Sequence, residues 1–156
     1  VLAGLRRTGD IELAPPPDIA AIRSLVEQLA QAEVDATIVI DGCDGQRMPP
    51  VTVGGAHRIV QESLTNAVRH GGPGVAVVVT IACRNGALDI TVSDDGPGRA
   101  ARSDTGDGSG LAGMAERAAV LGGTFEAGNR PGGGFAVHAV LPIMPRRAEP
   151  STKEQR

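Results

Sequence analysis

The chain has 156 residues and a formal net charge of −3. That length suits one domain with its own core, and the acidic balance, with no basic stripe or aromatic platform, argues against a nucleic-acid partner. Trp and Tyr are absent and Phe125 and Phe135 are the only aromatics, so the core must be aliphatic. No apolar run approaches the ~20 residues of a membrane span and no secretory leader is visible. The expectation is a soluble, cytoplasmic domain, compatible with a parent anchored in the cell membrane. Cys43 and Cys83 lack metal-ligand spacing and any disulfide framework, and read as two buried thiols in a reducing compartment.

Leu2 and Leu5 suggest the last turn of a helix within residues 1–7, and Ile11 and Leu13 a short edge strand over 8–13. Pro15-Pro16-Pro17 stops that strand, and Asp18 is a helix N-cap. Ile19, Ile22, Val26 and Leu29 then recur at helical spacing to about Glu33. Residues 36–40 alternate as a strand, and the Gly-, Asp- and Pro-rich stretch 41–50 is a loop. A long helix spans 52–70 and ends at Gly71-Gly72-Pro73. Residues 75–83 form an apolar strand, Asn85-Gly86 turns it, and Leu88, Ile90 and Val92 point inward on the return. Residues 97–108 have no periodicity and read as a mobile loop. A helix opens at Ser109, with Leu111, Met114, Ala118 and Leu121 on one face. A last hairpin, 124–128 with 135–141, closes around Pro131-Gly132-Gly133-Gly134. The tail 143–156 is charged and reads as disordered. Hairpin-joined strands require a mixed sheet, and three amphipathic helices can share one face of it. The fold class is therefore α+β: a two-layer α/β sandwich with three helices on one sheet face.

Three stretches carry chemistry. On the 52–70 helix, Asn66, Arg69 and His70 fall within about 80° of Glu62, whereas Val53, His57, Val60, Leu64, Ala67 and Val68 gather opposite. A carboxylate, an amide and cations in one reach suit a Mg²⁺–triphosphate, though a solvated helix face has the same pattern. Asp94 continues the inward row of Leu88, Ile90 and Val92 just before Asp95-Gly96-Pro97-Gly98. A buried carboxylate is costly unless hydrogen-bonded. It can accept from an exocyclic amine such as that of adenine, or from the following turn amides. Gly108-Ser109-Gly110-Leu111-Ala112-Gly113 matches G-x-G-x-x-G, but a polar loop precedes it where a dinucleotide fold needs a strand. What remains is glycine-rich backbone entering a helix N-terminus, either an anion site or a serine-capped flexible loop. His57 reads as a core residue and His138 as partly exposed on its strand.

In that order, Glu62-x-x-x-Asn66 with Arg69-His70, Asp94-x-Gly96-x-Gly98 and Gly108-x-Gly110-Leu111 resemble the ATP-binding (Bergerat, or GHKL) domain of histidine kinases, type II topoisomerases, Hsp90 chaperones and mismatch-repair ATPases. Arg58-Ile59-Val60-Gln61-Glu62 and Gly110 through Arg117 are similar to the NarL/DesK class of bacterial sensor histidine kinases. The resemblance implies that Asn66 ligates Mg²⁺, Glu62 is catalytic through a metal-bound or attacking water, and Arg69 and His70 face the phosphates. It implies that Asp94 binds the adenine amine, that Gly96, Gly98, Gly108, Gly110 and Leu111 shape the nucleotide pocket, and that 99–107 is the ATP lid. It divides the chain into the end of a dimerisation helix (1–7), the catalytic domain (8–142) and a tail (143–156). The implied cofactors are ATP and Mg²⁺. The implied partners are the parent's dimerisation and phosphoacceptor helices and a response regulator, with a monomeric fragment and a homodimeric parent. One departure stands out: Phe135 occupies a position where related domains often carry a Thr that contributes to adenine binding. An anti-sigma-factor-type serine kinase and a non-catalytic ATP-sensing module share the fold and are the alternatives.

Overall fold

The computed structural model describes residues 17–98 and 108–143, with only the backbone at Gly108. The expected helix end at 1–7, the strand at 8–13, the 99–107 lid and all of the tail but Ile143 lie outside the described residues.

Helix α1 (Ile19–Gln31) starts where Asp18 accepts a hydrogen bond from the Ala21 amide at 2.8 Å, as an N-cap aspartate should. It buries Ile22 and Val26. Strand β1 (Asp35–Asp41) and a glycine-containing loop lead into α2 (Pro50–His70), which begins one turn's fraction earlier than its apolar pattern, with proline in its first turn. Strand β2 (Ala76–Arg84) turns through Asn85 and Gly86, both at positive φ, into β3 (Ala87–Asp94), the backbone a two-residue hairpin demands. Helix α3 (Gly108–Val120), β4 (Thr124–Asn129) and β5 (Phe135–Pro142) complete the chain. Ile143 is still packed, and its amide donates to the Gly86 carbonyl at 2.8 Å.

The five strands lie in the order β1-β2-β3-β5-β4, with β1 parallel to β2 and the other pairs antiparallel. The sheet is mixed, and all three helices pack toward one face of it. The inward rows are Val77, Val79 and Ile81 on β2, Leu88, Ile90 and Val92 on β3, and Val137, Ala139 and Leu141 on β5. Ile59, Val60 and Leu64 of α2 and Met114 and Ala118 of α3 press on them. The core is aliphatic, as the composition requires.

Two expectations change. Val68 is 41% exposed rather than packed on the sheet, because α1 does not close over the end of α2. Cys43 and Cys83 are buried, as expected of thiols, but they are joined in a disulfide. Asp41 pairs with Ala82 in the parallel β1–β2 ladder, and that register brings residue 43 beside residue 83. Cysteine spacing along the chain carries no trace of a pairing made by sheet register.

Candidate functional site

The site is built where the second half of α2, the end of β3, the first turn of α3 and the β4–β5 turn meet. On α2, Glu62 and Asn66 are half-buried one turn apart. Both approach the first turn of α3. A Cβ placed on Gly110 would lie 2.8 Å from Glu62 Oε1 and 3.7 Å from Asn66 Nδ2. Gly110 thus lets the helix start come up against the carboxylate and amide. Behind them, buried Ser63 donates to Met114 Sδ at 3.4 Å and ties α2 to α3. Leu111 packs partly buried against the core.

Asp94 is 6% exposed, at the inward end of β3 opposite Val77. Its Oδ1 accepts from the Gly96 amide at 2.9 Å and from the Phe135 amide at 3.3 Å. The turn-amide reading of Asp94 therefore holds for one oxygen, and the buried charge is stabilised by backbone dipoles. Phe135 enters the site through its amide, irrespective of its side chain. Next along the chain, Asp95 Oδ1 accepts from the Ala76 amide at 2.7 Å, which pins the turn to the start of β2. The turn also approaches the end of α2: a Cβ on Gly96 would sit 2.7 Å from Gly71 Cα.

The β4–β5 turn forms the remaining wall. Gly134 has φ +86°, and a Cβ there would fall 1.9 Å from the Asp94 carbonyl oxygen, so only glycine fits. Arg130 Nη1 donates to that same carbonyl at 3.1 Å. Gly98, at φ +73°, faces Asn129 Oδ1 and the Gly134 carbonyl. Sequence reasoning singled out none of Gly71, Asn129, Arg130 and Gly134 for the site. The run of three glycines before Phe135 was the available signal, since a hairpin turn does not need three.

The remaining expected residues are less concentrated. His70 is half-buried one turn beyond Asn66, and Arg69 is exposed. Arg69 lines a groove between α1 and α2 with Leu25, Leu29, Gln61, Leu64 and Val68, a groove that Asn66 does not line. His57 lies half-buried on α2. Its pKa is lowered from 6.5, first by burial and then by the neighbouring Arg58 charge. His138 lies on the open sheet face, 3.1 Å from Asp89 Oδ1. Among the described residues no three His, Cys, Asp or Glu side chains cluster as a metal site. Nor, among those residues, is any helix long and apolar enough to cross a membrane.

The described residues thus combine a carboxylate–amide pair at a glycine-rich helix start with a backbone-held aspartate beside a glycine turn. Residues 52–145 match the family model of the histidine kinase-, DNA gyrase B- and HSP90-like ATPases, and the chain belongs to that family. Among its relatives are sensor histidine kinases. It is 36% identical over 121 residues to the sensor histidine kinase component HK1 of Mycobacterium tuberculosis, covering 62% of this chain and 71% of that one. It is 39% identical over 90 residues to the sensor histidine kinase LnrJ of Bacillus subtilis, covering 58% of this chain but 22% of LnrJ. The chain thus spans about a fifth of that kinase's length. The histidine kinase domain of the Escherichia coli osmosensor EnvZ has the same fold, with a TM-score of 0.60 at 24% identity, over 92% of this chain and 99% of that one. The chain is accordingly an ATP-binding catalytic domain of the sensor histidine kinase type.

Proposed function

We propose that this domain binds Mg²⁺–ATP and delivers the γ-phosphoryl group to a histidine on the dimerisation helices of a parent kinase of the NarL/DesK class, for relay to a response regulator. The observation that carries the reading is the convergence of Glu62 and Asn66 on Gly110 at the start of α3. Asp94 Oδ1 is committed to two backbone amides, so Oδ2 would accept from the adenine amine. Guanine presents an oxygen at that position and would be repelled. Asn66, with Glu62 beside it, would hold Mg²⁺, whose charge offsets that of the phosphates. The first-turn amides of α3 would meet phosphate oxygens, where the helix dipole favours an anion. His70 would face the phosphates, and Arg69 would add charge from the outer side of the helix. Glu62 would orient a water or accept a proton from the incoming nucleophile. The domain would work in the cytoplasm, where ATP and a response regulator are found.

Phosphoryl transfer depends on an acceptor held in line within about 3–3.5 Å. None of the chain's own histidines is placed for that: His57 and His70 are half-buried residues of α2, and His138 pairs with Asp89 on the sheet face away from the helices. The chain alone should therefore not label itself with γ-³²P-ATP, and it should hydrolyse ATP slowly. Added as a separate polypeptide, the parent's dimerisation helices should become labelled, and the label should be acid-labile and base-stable. Acid-stable label on serine would point to an anti-sigma-type kinase, and binding without transfer would leave an ATP-sensing module.

A further inference from the structure

We propose that Cys43 and Cys83 form a reversible dithiol–disulfide site that exchanges with small-molecule disulfides through a cavity at Cys43. Cys83 extends the inward row Val77, Val79, Ile81 at the end of β2, and Cys43 lies in the loop leaving β1. Parallel pairing of β1 and β2 sets their Cα atoms 4.9 Å apart, a spacing that forms a disulfide without backbone movement. The two residues are 9% and 8% exposed, yet their surroundings differ. Cys43 lines a surface cavity of about 370 Å³, bounded by Pro17, Ile19, Gln46, Met48 and Val53. Cys83 does not line it. A small thiol or disulfide entering this cavity thus meets Cys43 and not Cys83.

The reduced state is provided for as well. Cys43 Sγ lies 3.5 Å from the Asp41 carbonyl oxygen. A disulfide sulfur has no proton to donate, but a thiol at that place does. The parallel ladder pairs Asp35–Asp41 with residues 76–82 independently of the bond, so opening it leaves the strands paired.

In the oxidising direction the Cys43 thiolate attacks one sulfur of RSSR and expels RS⁻, giving a mixed disulfide. The Cys83 thiolate then attacks the Cys43 sulfur and expels the second RS⁻. The two protein thiols lose two protons and two electrons, and the electrons convert RSSR to two thiols. In reverse, a small thiolate attacks Cys43 and displaces Cys83. The bond closes a loop of sequence separation 40 that contains the whole of α2. It sits by the Cys83–Leu88 pair, whereas Asp94 sits by Val77 at the opposite end of the ladder. Oxidation should therefore raise the melting temperature and leave nucleotide affinity unchanged.

The test uses the folded, reduced chain and glutathione disulfide. Peptide mapping by mass should find a Cys43–Cys83 cross-link, reversed by reduced glutathione without denaturant. Cys83→Ser should stop at glutathione on Cys43, and Cys43→Ser should take up none. The melting temperature should rise on oxidation in the wild type and stay constant in Cys43→Ala/Cys83→Ala. Glutathione on Cys83 in the Cys43→Ser variant would overturn the assigned entry, as would oxidation or reduction that proceeds only in denaturant. An unchanged melting temperature, or a changed ATP affinity, would overturn the assigned consequence.

Discussion

At Asp94, strand alternation alone placed a carboxylate inside the sheet, and the structure surrounds it with amide donors. An Asn at this position keeps an oxygen for the Gly96 and Phe135 amides, so Asp94→Asn should fold. It would lose the charged acceptor for adenine, worth roughly 1.5–3 kcal/mol. ATP affinity should then fall by about one to two decades, while GTP affinity should rise, because the amide removes the repulsion of the guanine oxygen; calorimetric titration of both nucleotides checks this. Gly110 allows a test that separates site from stability. In an open helix, Ala in place of Gly stabilises by about 0.5–1 kcal/mol. Here the new methyl would sit 2.8 Å from Glu62 Oε1 and force that carboxylate to move. Gly110→Ala should hold or raise the melting temperature and weaken Mg²⁺–ATP binding. Loss of both together would mean that Gly110 is structural only. The sequence showed Gly110 as part of a motif, but not what it faces, because that contact joins two helices far apart in the chain.

Helix α2 was the most legible element. Its 3.6-residue repeat separates Val53, Val60, Leu64 and Ala67, all buried, from Glu62 and Asn66. The repeat could not say where α1 stops covering it, and Val68 and Arg69 consequently lie along an open groove. His57 belongs to the half-buried flank, and its burial gives a pH signature. Its folded-state pKa is lowered from 6.5. Well above that value the residue is neutral whether folded or unfolded and contributes nothing. As the pH falls below about 6.5 the unfolded chain takes up the proton first, so stability falls until the folded-state pKa is passed. Urea melts between about pH 7.5 and 5 should show a steeper loss for the wild type than for His57→Gln. Parallel slopes would mean that protonated His57 is accommodated.

For the molecule as a whole, periodicity found the three helices and five strands of the described residues, and the hairpins made the sheet mixed. The order β1-β2-β3-β5-β4 was not legible, because it depends on pairings such as Ser93 with Ala136 between distant segments. Those pairings carry the β4–β5 turn to the site. Within this turn Gly134 is wedged against the Asp94 carbonyl, whereas added Cβ atoms on Gly132 and Gly133 would meet nothing within 4 Å. One side of a single residue is thus committed to the nucleotide pocket and the other opens to solvent. The tip is therefore a port for grafting: an epitope tag or a small reporter domain spliced between Gly132 and Gly133 should be carried with the melting temperature and ATP affinity nearly intact. The same graft placed after Gly134 should abolish binding, and a reporter at the permitted position would sit beside the pocket without entering it.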